Sequence, residues 1–202
     1  MGSVSLKYKS KSGNLTAPGD VDLGAMIPIA TTTLASGAAS IIFTDIPTNY
    51  EHLQVRMSLL TQRATYGTDG YYLGFNGTFG TNVYSWHELR GDSSAATSGN
   101  SGSSLVNSIN VPFQCGTTAS NHPSSVIMDI LDYSNTSKFK TVRILGGTDL
   151  NGNVSGYPGA INLISGAYHS TNKITSIELY PQLASFATGA KVAIYGIKRA
   201  GA

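Results

Sequence analysis

The sequence predicts an all-β protein: an antiparallel β-sandwich, jelly-roll-like, with an extended N-terminal arm. Three observations predict it. Short stretches alternate apolar and polar residues with a period of two, the period of a strand that buries one face. These stretches recur at short intervals between Gly-, Ser- and Asn-rich connections, and no segment carries a helical stripe over three turns. The composition suits a loop-rich β surface, since only 12% of residues are charged while glycine occurs 23 times and tyrosine 11 times. A chain of 202 residues is long enough for one sizeable core, a domain of that size burying about 70% of its unfolded surface. We therefore divide it into an arm, residues 1–24, and one sandwich domain, residues 25–202.

The arm has too few apolar residues to fold alone. Ser5 to Lys9 is compatible with a short strand, but Ser10-Lys-Ser-Gly-Asn14 and Ala17-Pro-Gly-Asp20 are turn-forming. Lys7, Lys9 and Lys11, with Tyr8 among them, read either as a solvated arm or as a segment that docks on an acidic partner surface. Met26 to Leu34 is the first strand signal, and Ser40 to Thr44 the second. The clearest alternation follows: Leu53, Val55, Met57 and Leu59 on one face, Gln54, Arg56 and Ser58 on the other. At ~1.5–3 kcal/mol per fully buried large aliphatic, those four outweigh any surface ion pair nearby.

Tyr71 to Phe75 leads into Asn76-Gly77, which predicts a hairpin because both residues tolerate positive φ, with Thr81 to Leu89 as the return strand. Gly91 to Ser104 is almost wholly small and polar and reads as an exposed loop of unusual length. Leu105 to Phe113 resumes strand, and Cys115 to Ser124 reads as a second polar loop. Val126 to Tyr133 and Phe139 to Leu145 form a hairpin around Ser134 to Ser137. Gly146 to Gly159 is a third connection, and Ala160 to Tyr168 a further strand. The chain closes on two alternations, Lys173 to Tyr180 and Lys191 to Lys198, that complete a sheet. Eight or more strands with long polar connections make two packed antiparallel sheets.

The sequence carries few signatures of chemistry. The net charge of +2 is too small to point to nucleic acid. No apolar run approaches the ~20 residues of a membrane span, and Met1-Gly-Ser-Val-Ser-Leu-Lys7 lacks the apolar core of a signal peptide. Neither nucleic acid nor membrane is an expected partner, and synthesis in the cytoplasm is the expected origin. Cys115 stands alone, so neither an intrachain disulfide nor a cysteine-rich zinc site is available. The eleven acids show no spacing that selects a catalytic pair, and His52, His87, His122 and His169 lie in no HxH or HExxH arrangement. There is no Gly-x-Ser-x-Gly elbow. Gly74-Phe-Asn-Gly-Thr-Phe-Gly80 lacks the Lys and the helix of a phosphate loop, and Asp149-Leu-Asn-Gly-Asn153 lacks the closing Glu of a calcium loop. No enzyme activity and no cofactor are expected. Tyr66, Tyr71, Tyr72, Trp86, Tyr157 and Tyr168 lie in or beside predicted loops. Among them Tyr66, Tyr71, Trp86 and Tyr157 are candidates to stack on sugar faces, against the plainer reading of rings packed on the core rim.

Several stretches also carry a family resemblance. Ile174-Thr-Ser-Ile-Glu-Leu179, the Phe186-x-x-Gly189 turn and Ile194-Tyr-Gly-Ile-Lys198 resemble the end of a tailed-bacteriophage family of β-sandwich virion proteins. Ala39-Ser-Ile-Ile-Phe-Thr-Asp-Ile-Pro47 with Tyr50-x-His-Leu-Gln-Val55 is similar to the same family, as is Val126 through Arg143. Members include capsid decoration (cement) proteins and tail-fibre domains. The resemblance implies a non-enzymatic virion protein on the outer capsid surface, with the major capsid protein as partner and the chain itself as a homotrimer. The alternative it implies is a tail-fibre or spike tip that recognises host-surface glycan.

Overall fold

The computed structural model describes residues 25–92, 94–119, 121–150 and 159–199. The arm, with Lys7, Tyr8, Lys9 and Lys11, lies outside the described residues. Among those described there is no helix. The strands are β1 (Met26–Thr33), β2 (Ile41–Phe43), β3 (His52–Ser58), β4 (Leu60–Thr61), β5 (Thr68–Phe75), β6 (Tyr84–Gly91), β7 (Ala96–Asn100), β8 (Ile109–Thr117), β9 (Ser125–Leu131), β10 (Lys140–Asp149), β11 (Gly159–Tyr168), β12 (Ile177–Pro181) and β13 (Lys191–Ile197). They form an eight-stranded sheet, β1-β13-β3-β9-β10-β11-β6-β7, and a five-stranded sheet, β2-β12-β5-β8-β4.

This order is that of a jelly roll. Early strands pair antiparallel with late ones, β1 with β13, β2 with β12, β3 with β9 and β5 with β8. The pairs fall alternately into the two sheets, as when one long hairpin wraps around a barrel axis. Two excursions are added. β6 and β7 leave between β5 and β8, β10 and β11 between β9 and β12, and together they widen the first sheet by four strands. The short β4 runs parallel to β8 at the edge of the second sheet.

The core lies between the sheets. Leu53, Val55, Met57 and Leu59 are all buried, as the alternation requires, with Ile177, Leu179, Val192 and Ile194 from the closing strands. Three aromatic rings stitch the layers together: Phe75 of the five-stranded sheet against Tyr84 and Tyr168 of the eight-stranded sheet. The two tyrosines stack at 5.3 Å, centroid to centroid. The Tyr84 hydroxyl lies 2.6 Å from Thr78 Oγ1 and accepts from the Phe75 N–H at 2.8 Å. Burial, partly offset by those hydrogen bonds, pushes its pKa up to about 12.

Several sequence readings need correction. Asn76 (φ 53°) and Gly77 (φ 68°) do make a tight turn, but no hairpin follows. β6 crosses to the opposite sheet and pairs with β11 and β7. The turn is held from afar: the Asn76 side chain accepts from the Thr175 and Ser176 N–H groups at 2.8 and 3.1 Å, donates to the Lys173 carbonyl at 2.7 Å, and Glu178 accepts from the Gly77 N–H. The stretch read as one loop from Gly91 contains β7, an edge strand whose side chains face solvent and so need no apolar residues. Cys115 to Thr117 continue β8, and Cys115 is fully buried. β10 extends to Asp149, past the predicted loop start at Gly146. The two closing strands, β12 and β13, complete different sheets, one each.

Candidate functional site

The excursions create a surface the basic jelly roll does not have. On β9, Val126, Met128 and Ile130 point inward, so Ile127, Asp129 and Leu131 point out. β10 and β11 are apolar on both faces: Ile144 and Ile164 are buried, while Leu145, Ile161 and Leu163 are exposed. The register aligns the outward residues into rows across the sheet. Leu145 lies opposite Ile127 on one side and Leu163 on the other, and Leu163 lies opposite Leu89 of β6. Ile127, Leu145, Leu163 and Leu89 thus form an unbroken aliphatic row over four strands. Leu89 is 57% exposed and Ile161, diagonal to the row, 62%. Beside Ile161 the backbone of Gly91 and Gly147 floors a groove of about 760 Å³ with Ile127 and Leu145 on its walls. Asp92 stands at its rim. There the Ser94 hydroxyl and the Ser94 and Ala95 N–H groups hold its carboxyl at about 2.

The neighbouring row is polar. Gln54, Asp129, Arg143, Ser165 and His87 face each other in turn. Gln54 donates to Asp129 at 3.0 Å, and Arg143 stands 3.7 Å from the same carboxylate. An aliphatic strip with a polar margin is the anatomy of an interaction surface. The signal is present in the sequence: Ile144-Leu145 and Ile161 to Ile164 put apolar residues on both faces of strands in a sheet that has only one buried face.

The sugar-stacking candidates do not converge. Tyr66 is exposed, with the Arg63 guanidinium 4.1 Å over its ring. Tyr71 is fully buried and out of reach of a sugar, its pKa raised well above the usual value by loss of hydration. Tyr168 is likewise buried. Trp86 is partly buried against the core, and Tyr157 lies outside the described residues. The rings that meet at the surface are Tyr72, Phe79 and Tyr180, with centroids 6.1 and 4.3 Å apart in turn.

Two titratable groupings escape the sequence because they join distant residues. Glu51, His52 and Asp132 come within metal-binding reach of one another. Their atoms are engaged already: His52 Nδ1 accepts from the Asp132 N–H at 3.0 Å, Lys138 pairs with the Asp132 carboxylate, and Arg199 stands 3.7 Å from Glu51. The Lys138 hydrogen bond holds Asp132 below the usual carboxylate range. Ser85 Oγ and His169 Nε2 are 2.9 Å apart, yet among the described residues no carboxylate orients the imidazole, which packs on Phe139. The Asn151–Asn153 part of the calcium-loop candidate lies outside the described residues.

Asp69 is buried at the start of β5, accepting from Thr61 Oγ1 at 3.1 Å and the Gly70 N–H at 2.8 Å. Desolvation raises its pKa above 3.8, against those hydrogen bonds and the Arg63 charge. An acid whose folded pKa exceeds its unfolded value binds its proton more tightly in the fold. Its contribution to stability is fullest at low pH and declines as pH rises through the window between the two values. Asp69→Asn removes this titration, so the variant's urea midpoint should gain on the wild type's as pH rises above about 4. A difference between the two midpoints that stays constant over that range removes the desolvation account.

Compared with known proteins, the chain matches no family model, and no curated protein matches its sequence.

Proposed function

We propose that this chain is a structural subunit of a phage particle, a capsid decoration protein that braces neighbouring major capsid proteins from the outer surface of the shell. The observation that carries the proposal is the aliphatic row Ile127–Leu145–Leu163–Leu89, three of whose four residues lie on strands added to the jelly roll, all left open to solvent. Monomeric proteins rarely expose contiguous apolar area beyond a few hundred Å² without a partner for it. The resemblance of the closing strands to phage virion proteins supplies the class of assembly.

In this reading the sandwich supplies a rigid body with an assembly face, and residues 1–24 supply the attachment to the shell. A segment that orders on binding loses conformational entropy but covers a large area across several neighbours. Several weak contacts on one particle then reinforce each other through effective concentration. Deleting residues 2–24 is expected to leave a folded β domain, with unchanged far-ultraviolet circular dichroism, that no longer co-sediments with shells. Undiminished co-sedimentation removes the arm from the proposal.

A second reading, a tail-fibre tip that binds glycan, has the Tyr72–Phe79–Tyr180 cluster in its favour. Phe79 packs onto both tyrosines and is 36% exposed, so the area offered to a sugar is small beside the aliphatic face. We therefore place decoration first.

A further inference from the structure

We infer that the outer face of the eight-stranded sheet pairs with the same face of a second copy of this chain, about a two-fold axis running along the strands between β10 and β11. The inference rests on reading this face as an assembly surface, and it names the occupant. A two-fold axis in that position lays each row of one copy on the same row of the other and exchanges β10 with β11, β9 with β6, and β3 with β7.

The residues brought together are complementary at every step of the register. In the aliphatic row Leu145 meets Leu163 of the second copy, and Ile127 meets Leu89. One row along, Ile161, the most exposed large aliphatic of the face, meets Gly147, the floor of the groove between Ile127 and Leu145. A protruding side chain is thus set over a backbone that carries none. In the polar row Asp129 meets His87, and Arg143 meets Ser165. Arg56 at the end of the aliphatic row meets Ser98 on β7. No pair of like charges is opposed.

The size also fits. Six strands about 4.8 Å apart and about seven residues long at ~3.3 Å each present roughly 670 Å² per copy before side-chain relief. A standard interface buries about 800 Å² per partner, which interdigitated side chains approach. Such sheets pack with strand directions within about 30°, as the twist of each requires. Because the pairing is isologous it closes at two copies, so the assembly unit is a dimer where the family resemblance implies a trimer.

Sedimentation equilibrium of the full chain tests this, alone and with Leu145→Glu, Asp129→Lys and Asp129→Lys/His87→Glu. The expected result is a dimer that Leu145→Glu converts to monomer with unchanged circular dichroism. Asp129→Lys weakens it at least tenfold, and adding His87→Glu in the same chain restores most of the loss. A wild-type monomer at ~100 μM, a trimer, or a dimer indifferent to Leu145→Glu overturns the inference. A wild-type monomer whose shell binding Leu145→Glu abolishes assigns the face to a shell protein, overturning self-pairing but not the assembly reading. A monomer whose shell binding that substitution leaves intact takes the assembly reading of this face down as well.

Discussion

Phe75→Ala is expected to lower the stability of the sandwich by about 3–5 kcal/mol, the range for emptying a buried aromatic site. Phe75 is fully buried on β5, and its ring meets Tyr168 at 5.5 Å and Tyr84 at 6.2 Å. These contacts join the two sheets at the place where the β6–β7 excursion departs, so little nearby is free to collapse into the space. The Tyr84 hydroxyl depends on the same spot: its partners are Thr78 and the Phe75 backbone. For a domain near this size, 1 kcal/mol moves Tm by about 2–4 °C, so the variant should melt roughly 6–20 °C lower. Leu183→Ala, at a side chain 67% exposed, should stay within ±0.5 kcal/mol. A Phe75→Ala loss below about 1.5 kcal/mol means that the ring cluster does not hold the sheets together.

What the sequence discloses follows from what alternation measures. Leu53, Val55, Met57 and Leu59 are legible because one buried face demands an apolar residue at every second position, and each is buried. The β9–β10 hairpin is legible because its two alternations flank a short turn. Alternation does not say which sheet a strand joins. That is why β12 and β13, read as a closing pair, lie in opposite layers. The Asn76-Gly77 dipeptide fixes a turn, but the turn is tied to Thr175, Ser176 and Glu178 about 100 residues away in sequence, and the next strand pairs with β11 and β7 in the other sheet. β7 is illegible because an exposed edge strand needs no apolar residue to form.

The candidate face is a subtler case. Each of Ile127, Leu145, Leu163 and Leu89 is ordinary alone, since single exposed aliphatics are common. Only the register aligns them, and register depends on how β6 reaches β11 across the sheet. The arm carries the opposite limit. Its lysines are visible in the sequence at once, but they lie outside the described residues.

Gly116→Ala is expected to cost about 3 kcal/mol or more, because its added methyl has nowhere to go. A Cβ there would stand 1.7 Å from the His122 carbonyl oxygen, 2.7 Å from its carbon and 3.0 Å from Pro123 Cα. All three are backbone atoms, so no side-chain rotation relieves the clash. The segment they belong to is itself tied down. The Gly116 N–H donates to the Leu59 carbonyl at 3.2 Å, Ser124 N–H donates to the same oxygen at 3.0 Å, and Ser124 Oγ accepts from the Leu59 N–H at 3.1 Å. Moving either strand by the necessary ångström breaks these bonds beside the fully buried Leu59 and Cys115. Gly189→Ala separates crowding from backbone strain: Gly189 has φ +85° and nothing within 4 Å of where a methyl would stand, so only the strain of positive φ, about 1 kcal/mol, applies. If thermal melting ranks Gly189→Ala as the more damaging, the close passage of residues 122–123 over β8 is not what holds this end of the sandwich shut.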